Sequence, residues 1–256
     1  MIRLSIYIII CIMLTSLTIV GSMKIANPKT IDVPANALIM QDRAPDPQDV
    51  LPIVDYSPAS SATSKDDTAS TNVRQMRSLK YEKTVYPIRE YEGDISPLPS
   101  ITHWDRDVSP LPSDKSNIIV IGKILESRAF LTTDRSNVYS EFTFQLNEII
   151  KNGNDFPIKV EDIIAITRSG GAIRFASGKV QEYRIHNQQM PAKGSTYLMF
   201  LRGDTIDNMS IITGYELREG KVHPLDTSQQ FRTYAGAGVN QIDFLNAVQD
   251  SVKGGK

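Results

Sequence analysis

Val138–Glu148 reads VYSEFTFQLNE. Phe142, Phe144 and Leu146 alternate with Glu141, Thr143, Gln145 and Asn147. A period of two puts the first set on one face of a strand and the second on the other, so this stretch is a half-buried β-strand. Working outward, NIIVIGKIL at Asn117–Leu125 is β-branched and apolar, a buried strand, and DIIAITR at Asp162–Arg168 is another. Gly170-Gly171 is read as a turn. Ala172–Ala176 and Lys179–Ile185 form a hairpin around Ser177-Gly178. Thr196–Leu201 is a short buried strand, and Met209–Leu217 and Lys221–Leu225 pair around Glu219-Gly220.

Short strands at such regular spacing, with no helix between them, predict a mainly β fold, an antiparallel barrel or sandwich of OB-like type. One amphipathic helix closes it. Val239–Val252 sets Ile242, Leu245, Val248 and Val252 on one face with Phe244 close by. Asn240 is the expected N-cap, and Asp243 stands in the first turn, where negative charge is favoured.

The rest of the chain has another texture. Leu4–Met23 is a run of 20 uncharged residues behind Arg3. As a helix it reaches about 30 Å, the thickness of a bilayer core. It reads either as a signal peptide, cleaved near Gly21 and Ser22, or as a retained membrane anchor. Cys11, the one cysteine, lies inside this run, behind Ile10 rather than the small residue a lipoprotein signal requires. Eleven of the fourteen prolines then fall between Pro28 and Pro112. Ser57–Asn72 is polar and of low complexity, too poor in apolar area to offset its ordering entropy. The sequence therefore divides into a signal or anchor at 1–23, a proline-rich and largely disordered linker at 24–115, and a β domain with its C-terminal helix at 116–256. SPLPS occurs at Ser96–Ser100 and again at Ser109–Ser113 with Trp104 between them. The repeats read as paired polyproline II ligands or as an extended arm on the domain.

The runs VYSEFTFQLNEIIKNG, GGAIRFASGKVQEYRI, GSTYLMFL and ITGYELREGKVHPLD, over about Asn117–Val252, resemble a family of exported bacterial proteins of unknown function. More distantly, IIVIGKI, FTFQLNEIIK and YLMFL are similar to secreted OB-like barrels of the netrin and metalloprotease-inhibitor kind. Those inhibitors act through an N-terminal cysteine that this β domain lacks. The resemblance implies a fold and an exported location, and no activity.

Charge and composition exclude several functions. A net charge of −1 offers no general positive field for nucleic acid, which is not an expected partner. One cysteine and three histidines leave no disulfide framework and no cysteine-based zinc site, so neither cofactor nor metal is expected. No catalytic residue is assigned. The hairpin region gathers Arg168, Arg174, Lys179 and Arg184 within seventeen residues, joined by His186. Arginine forks suit carboxylate and phosphate, so these five residues form a candidate site for an anion or a partner, with Phe175 and Tyr183 as accompanying aromatics. Strand parity already divides the set, since Lys179 and Arg184 are an odd number of residues apart. The expected function is a non-enzymatic β-barrel binding module of the cell envelope, held at the membrane through its N-terminal segment, with an envelope protein or an anionic polymer as partner. The alternatives are a hydrolase of envelope polymers with a site near His186, and a purely structural assembly module.

Overall fold

The computed structural model describes residues 51–56, 68–82, 87–90, 108–153, 156–234 and 238–254. The N-terminal apolar run, Cys11, the first SPLPS copy, His103 and Trp104 lie outside the described residues. Among the described residues, no helix is long and apolar enough to cross a membrane.

The order of elements is β1 (Ile53–Asp55), α1 (Thr68–Leu79), β2 (Ile118–Leu131), β3 (Val138–Asn152), β4 (Ile163–Ser169), β5 (Gly171–Arg174), β6 (Val180–Tyr183), β7 (Thr196–Arg202), β8 (Met209–Arg218), β9 (Lys221–Pro224), β10 (Val239–Asn240) and α2 (Gln241–Gly254). The protein is mainly β, as its sequence predicts, and its β5–β6 and β8–β9 hairpins stand where the sequence put them.

Seven strands form one sheet in the order β10-β9-β8-β4-β3-β2-β7, and β7 also pairs with β8. The long antiparallel pair β2–β3 is its spine. β4 and β8 run parallel and meet through two residue pairs, Ile166 with Met209 and Thr167 with Ser210. With so short a seam the sheet is not a clear barrel. The second sheet is small, β1-β5-β6, with β1 parallel to β5.

The β3 alternation holds in space. Phe142, Phe144 and Leu146 are fully buried, in one cluster with Val120, Ile166 and Met199. Each such side chain contributes roughly 1.5–3 kcal/mol by leaving water. β2 meets this cluster at a bulge between Ile121 and Gly122. A side chain at Gly122 would stand 2.2 Å from the Gln145 carbonyl oxygen and 2.7 Å from the Phe144 ring, so only glycine fits there. Gly170 and Gly171, read as a turn, form a corner where the chain leaves the large sheet for the small one. Their φ angles of 109° and 151° suit glycine alone.

A second apolar cluster lies on the opposite face of β2, β7 and β8, where Ile119, Leu198, Phe200 and Tyr215 meet Phe244 and Val248 of α2. Asn240 caps this helix, its Oδ1 accepting from the amides of Ile242 (2.8 Å) and Asp243 (3.4 Å). Ile242, expected on the inward face, is 69% exposed. The helix turns Phe244, Leu245, Val248 and Val252 inward instead, since residues four apart share a face.

The packed domain begins before Ser116, the expected boundary. Leu51 joins the main cluster, and Ile88 packs with Val138 and Ile173. The second SPLPS copy lies on the domain: the Tyr215 hydroxyl donates to the Pro110 carbonyl at 2.5 Å, and Ser113 Oγ donates to the Ser251 carbonyl. Residues 51–56, 68–82, 87–90 and 108–115 are thus laid against the β sheet, in a region expected to be largely disordered linker. These segments are short and separated in the chain, and the sheet supplies the partners that none of them could find alone.

Candidate functional site

The five residues expected to form a basic site do not share a surface. Arg168 is buried at 1% exposure. Its Nη2 donates to both Asp226 oxygens, at 2.6 and 2.8 Å, and its Nη1 to the Gln189 carbonyl. Thr213 Oγ1 donates to the same carboxylate at 2.7 Å. Burial pushes the Asp226 carboxyl up, against the opposing pull of Arg168 and Thr213. Arg168 follows Ile164 and Ile166 at a spacing of two, so β4 turns it inward with them. Arg168 is thus held in a buried ion pair, away from the exposed Arg174 and His186. Arg174 pairs with Asp55 of β1 at 3.4 Å, and Arg184 with Glu182 at 2.9 Å. Lys179 stands in the β5–β6 turn, also engaged by other groups. Phe175 is buried against Tyr56, with ring centroids 5.2 Å apart, and is not a surface platform. His186 is exposed in the turn after β6, and among the described residues no ion pair joins it to an acid. Asp226, close by in the chain's bridge with Gln188, is taken by Arg168 and Thr213.

A different site emerges on the outer face of β3 and β4. In register, Tyr139 faces Ser169, Glu141 faces Thr167, Thr143 faces Ala165 and Gln145 faces Ile163. One end of this face is open. A cleft of about 510 Å³ is lined by Ile158, Ile163 and Ile206 together with Arg77, Asp162 and Asp207. Ile163, the first residue of β4, is 60% exposed and lines this cleft. The short 3-10 helix Ile206–Asn208, between β7 and β8, forms the far wall.

The other end lies under α1. Arg77 Nη1 donates to Glu141 Oε2 at 2.8 Å, and its Nε to the Asp207 carbonyl at 2.7 Å. Lys80 Nζ donates to the Asn208 carbonyl. Ser78 Oγ donates to Glu82 and accepts from the Thr133 amide (2.7 Å) and hydroxyl (2.9 Å). The Thr167 hydroxyl donates to the Met209 carbonyl, which leaves its oxygen to accept from Tyr81 at 2.8 Å. Tyr81 stacks on Tyr139 with centroids 5.1 Å apart, and Arg74 lies over Phe130 at 5.1 Å.

The charges respond to this packing. Burial, then the nearby Arg77, brings the Lys80 ammonium down to about 8. Burial pushes the Tyr81 phenol up to about 12. Burial and the Glu141 charge beside it hold the Tyr139 phenol well above its ordinary value. Yet the Tyr139 hydroxyl, beside the Glu141 carboxylate, and Glu141 Oε1 are buried without a well-formed hydrogen bond, and so is Asn208 Oδ1.

The sequence placed Glu141 only on the polar side of the β3 alternation, and passed over Tyr139, Arg77 and Ile163. Ile163 carried one available sign. It opens a strand whose alternate members, Ile164 and Ile166, fill the core, so parity sends Ile163 outward. Among the described residues no group of three or more metal-ligating side chains gathers. No protein-family model matches the sequence, and no curated protein matches it.

Proposed function

We propose that this protein is an exported, non-enzymatic binding module of the bacterial cell envelope, tethered through its N-terminal segment, that holds a segment of a protein partner in the cleft beside Ile163. The cleft carries this reading. It combines exposed isoleucine with two aspartates, Asp162 and Asp207, while its one arginine is already paired with Glu141. That chemistry suits an apolar side chain next to a basic one, and a protein segment supplies both. It does not suit an anionic polymer. The apolar run at Leu4–Met23 and the resemblance to exported proteins support the location.

The pairing pattern supports an OB-like arrangement. Counting only β2, β3, β4, β7 and β8, the first pairs with the second, the second with the third, the third with the fifth, the fifth with the fourth, and the fourth with the first. That is the circuit of a partly open five-stranded Greek-key barrel, and such barrels bind on the face of their second and third strands. In this chain those strands are β3 and β4.

A photo-crosslinking residue at position 163 of the full chain, in cells that make the protein, tests the reading. It should give one discrete protein adduct, lost on Asp162→Lys with Asp207→Lys. The same residue at position 186 should give none. An adduct from 186 alone, or one at 163 indifferent to the aspartates, would overturn it.

A further inference from the structure

We infer that the covered part of the same face, centred on Tyr139, Glu141 and Thr167, is a docking surface for an arginine-bearing helical segment of a protein partner, and that α1 occupies it in cis. This rests on the reading of the domain as a protein-binding module and names the chemistry of the partner.

Four observations carry the inference. First, α1 is seated by polar contacts. The residues it turns inward are Arg77, Ser78 and, just beyond its end, Tyr81, while its apolar Met76 and Leu79 point out at 44% and 59% exposure. Such a seat depends on paired donors and acceptors and is exchangeable with any segment that presents the same groups. Second, the helix is weak by itself. It has 12 residues and no acid in its first turn, near the length at which an isolated helix is marginal. Third, α1 fits its seat incompletely. Arg77 meets only one oxygen of Glu141, the Tyr139 hydroxyl lies beside the same carboxylate without a well-formed bond, and Asn208 Oδ1 has no partner. An unmatched buried acceptor gives up its bond to water without replacement, so a segment offering one more donor binds better than α1 does. Fourth, the complementarity is specific. Glu141 is 14% exposed and is the acid that meets α1, so the charge it accepts there is a single buried cation, and Arg77 shows that a guanidinium fits.

The test uses the full chain and a labelled synthetic peptide of residues 68–82 as the probe. Two chains are compared with wild type. One carries Arg77→Ala, which weakens α1 in its seat. The other carries Ser78→Cys and Thr133→Cys with Cys11→Ser. The Ser78 and Thr133 oxygens are 2.9 Å apart, close enough for a disulfide to pin α1 when oxidised.

The Arg77→Ala chain should bind the peptide at least about tenfold more tightly than wild type, whose own α1 competes at high effective concentration. The oxidised pinned chain should not bind it, and reducing that same chain should free α1 and bring measurable binding back. A peptide carrying Arg77→Ala should bind at least about tenfold more weakly than the native peptide. Equal binding by oxidised and reduced chains, binding by none of them, or indifference to the peptide's arginine would overturn the inference. The oxidised and reduced forms are one polypeptide, so misfolding of Arg77→Ala leaves the test intact. Crosslinking at position 163 needs no peptide, so either reading can fail while the other stands.

Discussion

Among the described residues two helices cover two regions of the sheet's outer face, α2 over β2, β7 and β8 and α1 over β3 and β4, and they are held in opposite ways. α2 sets Phe244 and Val248 into an apolar cluster with Phe200 and Tyr215, behind an asparagine cap. α1 sets Arg77, Ser78 and Tyr81 onto Glu141, Thr133 and Thr167 through hydrogen bonds. Apolar burial is nondirectional and withdraws area from water, so α2 is part of the fold. The seat of α1 is mostly polar, with one ring stack of Tyr81 on Tyr139, and a hydrogen bond that replaces one to water contributes little net stability. A helix held that way can leave without unfolding what lies beneath, and local opening of this kind is common where binding occurs. The outer face of the sheet thus has one region closed for structure and one region whose cover is replaceable.

The largest expected effect breaks the α2 side. Phe244→Ala should destabilise the whole domain by roughly 3–5 kcal/mol, seen as a lower denaturation midpoint. On α1, Leu79→Ala should change that midpoint by less than about 0.5 kcal/mol, because the side chain is mostly exposed.

Next comes a contrast between two ion pairs. Asp226→Ala strands the fully buried Arg168 charge and should lower global stability by roughly 3–5 kcal/mol. Arg77→Ala removes a pair at the domain's exchangeable face. It should weaken α1 docking by roughly 1.5–3 kcal/mol and leave the denaturation midpoint of the sheet nearly unchanged. A large shift in that midpoint would place α1 in the core.

Alkali sharpens the comparison further. Tyr81 is held up to about 12, so its contribution to α1 docking is complete below the ordinary phenol value and is lost as pH rises through about 12. Lys80 is brought down to about 8, so the released segment binds more protons than the docked one between about 8 and its ordinary value, and docking strengthens across that window. Tyr215, under α2, is raised further by burial, then by Tyr234 and Asp226. Tyrosinate absorbance compared with a Tyr81→Phe chain should show Tyr81 ionising before Tyr215. The smallest effects belong to the exposed pairs: Arg174→Ala and Arg184→Ala should each change stability by less than about 1 kcal/mol.

The same contrast explains what the sequence revealed. β3 and α2 were legible because apolar side chains record burial at periods of 2 and 3.6. α1 was not, since the residues it buries are Arg77, Ser78 and Tyr81, and no apolar stripe marks its inward face. β1 is three residues whose hydrogen bonds come from β5, more than a hundred positions away, and local composition cannot report a partner so distant. The inward turn of Arg168 was legible in its parity with Ile164 and Ile166, but its partner Asp226 lies 58 residues on, and charge clustering along the chain suggested a surface patch instead. The candidate site was illegible for a related reason. Glu141 and Thr167 meet only through the register of β3 with β4, and Arg77 arrives from a segment that composition assigned to the linker.

Amide hydrogen exchange along the full chain tests the central claim most directly, because it reads the stability of each helix in one experiment. The account predicts that the amides of α1 exchange at least about tenfold faster than those of α2 and β3 once corrected for intrinsic rates, through an opening that leaves the sheet protected. Protection of α1 equal to that of α2 and β3, lost only when the whole domain unfolds, would contradict it.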